Sequence, residues 1–319
     1  ILNSSGAKLY DATTTANSSD ITLSNLVGTQ TLTLSGTGTI TSKDVGSSKT
    51  VTIGTLALAD GSNGGLAANY TLTSGKHQLT VNQRPLNATL ARQYDGTTAS
   101  AGSTLSSFDA LQGGETLTMT GSGTAASANV ANGITMSSNG NLALADGTGA
   151  ASNYSLNSTV INIAKRVLNS SGSKLYDANT NALAGAITLS NLVSGEALNH
   201  SGTASTSSAN VGSYTISNLT GITIADGSGG TASNYTLTGG THNFAINQRP
   251  LNATLARQYD GTTASAGSTL SSFDALQGGE TLTLSGSGTA ASANVANGIA
   301  VSSLGTLALV NGTGAASNY

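Results

Sequence analysis

The 319-residue sequence contains no cysteine, no tryptophan and only two prolines, and charged side chains occupy 8% of its positions, well below the share in an ordinary soluble domain. Each shortage removes a class of protein. Without cysteine there is no disulfide scaffold, zinc–thiolate site, iron–sulfur cluster or thiol nucleophile. Two prolines and no glycine at every third position exclude a collagen triple helix. Eleven basic residues against fourteen acidic ones supply no clustered positive surface, so a nucleic-acid partner is not expected. Apolar runs are only a few residues long, too short to span a membrane. Charge-driven disorder does not fit either, because the net charge is −3 and 37% of the residues are hydrophobic.

What fills the chain instead is small: 41 glycines among abundant Ser, Thr, Ala and Asn. Self-comparison organises them. Tyr-Asp occurs at Tyr10-Asp11, Tyr94-Asp95, Tyr176-Asp177 and Tyr259-Asp260, and Asn-Tyr at Asn69-Tyr70, Asn153-Tyr154, Asn234-Tyr235 and Asn318-Tyr319. Eight of the nine tyrosines therefore mark four copies of a unit of about 83 residues. The copies alternate in type. Asn82 to Thr118 is identical to Asn247 to Thr283, while ILNSSGAKLYDA in copy one answers VLNSSGSKLYDA in copy three. Junctions before R-P/V-L-N divide the chain into 1–83, 84–165, 166–248 and 249–319, the last without the segment that reads SLNSTVINIA in copy two. Opening out of phase with its own repeat, the chain reads as a fragment of a longer array.

The local pattern is β throughout. Apolar and polar residues alternate in Gln30–Ser35, Lys49–Ile53, Thr71–Thr73, Gln78–Asn82, Glu115–Thr120 and Asn141–Ala145, as a half-buried strand requires. Between them stand Gly113-Gly114, Gly121-Ser122-Gly123, Asp146-Gly147 and Asp226-Gly227, whose glycines are expected to supply the positive φ of tight turns. The expected fold is all-β: tandem small β-sandwich-like domains forming an elongated rod. The alternative is a continuous β-solenoid, which would show self-similarity near 20 residues; the landmarks instead appear once per unit. Each unit, poor in large side chains, is expected to bury its own tyrosine pair, Tyr10 with Tyr70 and likewise in the other three. Four domains joined by linkers as short as Gln83-Arg84-Pro85 predict a stiff rod of roughly 150 Å.

Chemical sites are sparse. His77, His200 and His242 all fall in copies one and three, so a catalytic histidine could not be common to the repeats. Paired carboxylates and a phosphate-cradling loop are likewise not indicated, and the chain is expected to be non-enzymatic. No cofactor is expected. Calcium is the alternative, but the Asp residues are singletons, and the Asp-Gly of three copies becomes Asn311-Gly312 in the fourth. The Tyr-Asp pair admits a periodic binding stripe or a structural turn, in which the carboxylate accepts backbone N–H groups with support from Thr97 or Thr262. Because Ala12 and Ala178 stand where Gly96 and Gly261 follow the Asp in the other copies, that turn is expected not to demand a glycine-only conformation. A Lys–Asn cross-link cannot be general, since Lys8 and Lys174 become Arg92 and Arg257. Sequons such as Asn69, Asn87, Asn153, Asn169 and Asn252 permit glycosylation without indicating it.

The succession K-L-Y-D-A or R-Q-Y-D-G-T-T, T-L-T-L-S-G-T-G, L-A-L-A-D-G and a closing N-Y-T-L resembles the YDG repeats of filamentous-haemagglutinin-like large bacterial exoproteins. The resemblance covers essentially the whole chain. It implies an extracellular or bacterial cell-surface location and a structural role, with no catalytic or ligand site. Two functions follow as expectations: a stiff spacer in an adhesin fibre, or a self-assembling filament or biofilm-matrix component whose chains pair through edge or donated strands. The partners expected are copies of the chain or adjacent repeats, with any host or matrix surface bound through other domains.

Overall fold

The computed structural model describes residues 1–216 and 219–319. It is all-β, its strands joined by turns and six single-turn 3₁₀ segments, and the chain divides into two compact units, Ile1–Ala164 and Lys165–Tyr319. Every sheet draws its strands from a single repeat. That is the tandem arrangement of small β domains, not a solenoid in which successive coils stack.

In the first repeat the opening strand Asn3–Leu9 lies between Ile21–Ser24, antiparallel, and the closing strand Gln78–Asn82, parallel. Gly46–Thr52, Thr37–Ile40 and Thr15–Asn17 extend the sheet beyond the closing strand to six. A separate ribbon pairs Leu32–Ser35 with Ala57–Asp60. The second repeat follows the same plan. Its opening strand Arg84–Gln93 runs parallel to Tyr154–Ala164, with Thr104–Phe108 on one side and Ala131–Ser138 on the other, and its ribbon pairs Leu117–Thr120 with Ala143–Asp146. A parallel pair needs a long crossover, here nearly the whole repeat. The opening and closing strands of these two repeats thus close each upon itself.

In the second unit, Asn169–Leu175 pairs parallel with His242–Asn247 in the third repeat. The fourth repeat keeps its ribbon, Leu282–Ser285 with Ala308–Asn311, but its opening strand Ala253–Ala256 pairs only with Thr269–Phe273.

Three local expectations are corrected. Thr71–Thr73 is not a strand: Ser74 takes a positive φ of 68° and the Gly75 N–H donates to Leu72 O at 3.1 Å, turning the chain immediately. Glycines 113, 114 and 121 do have positive φ, whereas Gly123, Gly147 and Gly227 do not. The Asp-Gly glycine is required by close approach instead, since a Cβ on Gly147 would lie 2.3 Å from Thr116 O. Finally, the residue after the Tyr-Asp aspartate is left-handed in every repeat, with φ of 62° at Ala12, 78° at Gly96, 60° at Ala178 and 75° at Gly261. Alanine occupies it despite a penalty of roughly 1–2 kcal/mol. The turn is over-determined by its neighbours: Asp11 Oδ1 accepts the Thr13 N–H at 2.9 Å, and Lys8 Nζ binds Asp11 at 2.9 Å and the carbonyls of Thr13 and Thr15.

Candidate functional site at the joint between paired repeats

The buried apolar cluster of the first unit does not stop at the repeat boundary. It joins Tyr10, Ala16, Ile21, Leu79 and Val81 to Leu86, Leu117 and Tyr154. A second cluster joins Tyr176, Ile187, Phe244 and Ile246 to Leu282 and Tyr319. The expected pairing of tyrosines within a repeat is therefore corrected. Tyr10, fully buried, meets Tyr154 of the next repeat edge-on, with ring centroids 5.2 Å apart and planes at 76°. Tyr176 meets Tyr319 with the same distance and angle. The Tyr-Asp turn lies where the chain leaves the opening strand, at the end of the repeat that faces its successor. The Asn-Tyr tyrosine follows a 3₁₀ turn, Ala151–Asn153 or Ala316–Asn318, whose first N–H is accepted by Asp146 or Asn311 at 2.7 Å. A neutral carboxamide serves there as well as a carboxylate, so the Asp-to-Asn exchange changes nothing in the turn.

One glutamate fastens each tyrosine pair. The Tyr10 hydroxyl donates to Glu115 Oε1 at 2.6 Å and the Tyr154 hydroxyl to Oε2 at 2.8 Å. In the second unit Tyr176 and Tyr319 donate to the two oxygens of Glu280 at 2.5 and 2.6 Å. The Tyr154 and Tyr319 oxygens also accept the N–H of Gln112 and Gln277. Beside the tyrosines, the carboxamide of Asn153 bridges the joint: its oxygen accepts the Val45 N–H at 2.8 Å and its nitrogen donates to Asp44 Oδ1 at 3.0 Å. Asn318 does the same with Val211 and Asn210 at 2.9 and 3.0 Å. Arg84 and Arg249, two residues past each closing strand, each donate from Nε to the carbonyl of the buried tyrosine at 2.6 Å. The two joints share one geometry, here termed the clasp. The first adds a cation, because Lys43 Nζ lies 2.8 Å from Glu115 and 5.8 Å from the Tyr10 ring centroid; Ala209 takes that position in the third repeat.

Electrostatics follow from burial and partners. Burial and the Glu115 carboxylate push the Tyr154 phenol up to about 12, and burial with Glu280 does the same to Tyr176. Burial alone would raise the Glu115 carboxyl, but hydrogen bonds from Lys43, Tyr10 and Tyr154 outweigh it and hold the group below its ordinary value. At neutral pH the first clasp is thus a carboxylate receiving donors from both repeats, a strong class of hydrogen bond.

The remaining landmarks are placed as follows. Asp95, Asp177 and Asp260 accept the N–H two residues on, at Thr97, Asn179 and Thr262, as Asp11 does. Tyr235 donates to Glu196 at 2.6 Å within its own repeat, and Tyr70 to Gln30 at 2.5 Å. Tyr94 is buried, whereas Tyr259 is 65% exposed. The glutamates were missed by the tyrosine-led reading, although a signal existed. Glu115, Glu196 and Glu280 are the only glutamates in the chain, each 39 residues before an Asn-Tyr tyrosine. The histidines turn out to be straps: His77 takes the Ser4 hydroxyl on Nδ1 at 2.8 Å and gives Nε2–H to Leu72 O at 2.7 Å, and His242 repeats this with Ser170 and Leu237. Among the described residues no three His, Asp or Glu side chains gather as a metal site would require.

The profile of the YDG domain matches residues 2–79, 76–161, 164–242 and 247–319. The chain belongs to the YDG domain family. Its four YDG domains account for nearly its whole length, and the clasp is a contact between one YDG domain and the next within each compact unit. Neither a curated protein nor a solved structure matches the chain.

Proposed function

We propose that this run of YDG domains is a non-enzymatic structural segment of a secreted or cell-surface bacterial fibre or adhesin, acting as a stiff extended stalk. The observation that carries the reading is the clasp. A joint with only a short linker would still bend, but here two aromatic rings, a shared carboxylate and a bridging carboxamide are buried across it. Bending would uncover apolar surface worth about 25 cal/mol per Å² and strand buried polar groups. Fibre stiffness comes from such joints, and low charge with many Ser and Thr suits strand faces that meet only solvent.

Small-angle scattering on the chain and on the double variant Tyr10→Ala/Tyr176→Ala tests this. A stalk gives a thin, concentration-independent profile for the native chain and a more flexible one for the variant. A native profile as flexible as the variant's would refute it.

One observation favours a second reading, a self-assembling extracellular filament or matrix component. The strand Ile21–Ser24 at the edge of the first repeat's six-stranded sheet has a partner on one side only, and an open strand edge is a template for another chain's strand. Growth of the scattering mass with concentration would support that reading.

A further inference from the structure

Each clasp has a receiving half, its socket, built by the later domain of the pair. In the first unit the socket holds Tyr154, Glu115 and the two glycines just before that glutamate, Gly113 and Gly114. In the second it holds Tyr319, Glu280, Gly278 and Gly279. Both glycines of each pair are left-handed, with φ of 60° and 70° in the first socket and of 58° and 71° in the second.

The two glycines differ in what faces them. A Cβ on Gly113 would lie 2.9 Å from the Ala12 Cβ of the preceding domain, and one on Gly278 2.9 Å from that of Ala178. Carbon atoms in contact sit about 3.5–4.0 Å apart, so either side chain would clash. A Cβ on Gly114 or Gly279 would meet nothing within 4 Å. Neither alanine can yield. Ala12 sits in the turn that Asp11 and Lys8 hold through Thr13 and Thr15, and Ala178 in the one that Asp177 and Lys174 hold through Asn179. Both methyls are packed against the apolar cluster that crosses their joint.

That contact gives the strained alanines a use. Glycine would take the positive φ without penalty, and the second and fourth domains do carry it, as Gly96 and Gly261. Strain that persists points to a side chain with a task. The facing loop varies in step. Aligned on the residue whose N–H goes to the Asn-Tyr hydroxyl, Gln112, Val193 or Gln277, the third domain has Ser194 where the second and fourth have Gly113 and Gly278. In chain order Ala12 precedes Gly113, Gly96 precedes Ser194 and Ala178 precedes Gly278. A Cβ stands on one side or the other, never on both.

We propose that the methyl of Ala12 and of Ala178 is a selectivity key for the neighbouring domain. It fits a loop with glycine at this position, so a Tyr-Asp-Ala domain accepts a Gly-Gly successor and rejects one with a side chain there, as the third domain has in Ser194. The partner is defined by shape, and discrimination comes from a clash built against the wrong neighbour. A domain like the third therefore cannot share a clasp with the first, or with another like itself, standing before it. The selection acts at each joint, whatever the chain as a whole does.

Exchange of the Val45 amide hydrogen reads the first joint, because this N–H of the first domain is accepted by Asn153 of the second. The full chain is compared with its variants Gly113→Ser, Gly114→Ser, Ala12→Gly and Ala12→Gly/Gly113→Ser. Gly113→Ser should speed Val45 exchange at least about tenfold. Gly114→Ser carries the same left-handed strain without a facing methyl. That strain is present whether the joint is open or closed, so exchange should rise about threefold at most. On the Ala12→Gly background Gly113→Ser should likewise cost about threefold at most, since the methyl it strikes is gone. Amides between Arg84–Gln93 and Tyr154–Ala164 report whether the second domain is folded. If Gly113→Ser unfolds it, recovery on adding Ala12→Gly supports the key and no recovery overturns it. Three other results overturn it: Val45 exchange unchanged by Gly113→Ser, an effect as large with Ala12→Gly as without, or one matched by Gly114→Ser.

Discussion

The second and fourth domains carry the same 37-residue run, Asn82 to Thr118 and Asn247 to Thr283, yet the run does not fold alike in the two places. In the second domain it opens with a ten-residue strand, Arg84–Gln93, whose Leu86, Ala88 and Leu90 are no more than 3% exposed. In the fourth the strand shrinks to Ala253–Ala256; Leu255 is only half-buried and Ala253 is exposed. The difference is the parallel partner Tyr154–Ala164, present beside the first and without a counterpart beside the second. Features that need only near neighbours are unchanged. Asn87 and Asn252 both hold an aspartate with a backbone and a side-chain bond, at 2.9 and 2.6 Å and at 2.9 and 2.7 Å. The sockets are also alike, since each receives a tyrosine from the domain before it. Strand length here is a property of the pair and not of the residues, whereas turns and sockets are local.

The largest effects should confirm the equality of the sockets. Tyr10→Ala and Tyr176→Ala each remove a buried ring and a charge-assisted bond, and each should cost about 3–5 kcal/mol. Hydrogen exchange resolved by domain should show the loss at both joints. Losses that differ by more than the small share expected of Lys43 would mean that the open edge of the fourth domain has softened its socket.

The same substitution should then separate the cores. Leu90→Ala should cost about 2–4 kcal/mol, and Leu255→Ala, at the identical position of the repeat, less than about 1 kcal/mol. Equal costs would show that the fourth domain hides its opening strand some other way.

Acid and alkali should bracket the first clasp. The Glu115 carboxyl is held below its ordinary value, so its contribution is complete above that value, near 4.3, and fades as pH falls through the folded one. Tyr154 is raised to about 12, so its contribution is complete below about 10 and fades as pH rises towards 12. Tyrosinate absorbance and exchange across the joint should show both limits. Loss of the joint at neutral pH would contradict the assignment.

The smallest effect belongs to the cation of the first clasp. Lys43 is solvent-exposed, so Lys43→Ala should weaken the first joint least of all these variants, and by still less at high salt. A larger loss would mean that Glu115, unlike Glu280, needs its cation.

Much of this was legible in the chain itself. The four domains followed from the spacing of the tyrosines, and strands such as Gln78–Asn82 from their alternation. The structural use of the Tyr-Asp aspartate follows from elementary turn chemistry. Partners far along the chain were not legible: Tyr10 was matched to Tyr70, the nearer landmark, whereas it packs on Tyr154. Nothing in a spacing distinguishes a ring buried in its own repeat from one buried in the next. The three glutamates could have tipped the choice, since a carboxylate 39 residues before three of the four Asn-Tyr tyrosines has no use in an isolated apolar core.

By itself, then, the sequence determined the unit, its β character and its turns, because each depends on residues a few positions apart. Only the tertiary structure decided that opening and closing strands pair in parallel, and that neighbouring domains share tyrosines over one glutamate. Those contacts join residues from 39 to more than 100 positions apart. Their free energy comes from burial that exists only after the intervening chain has folded.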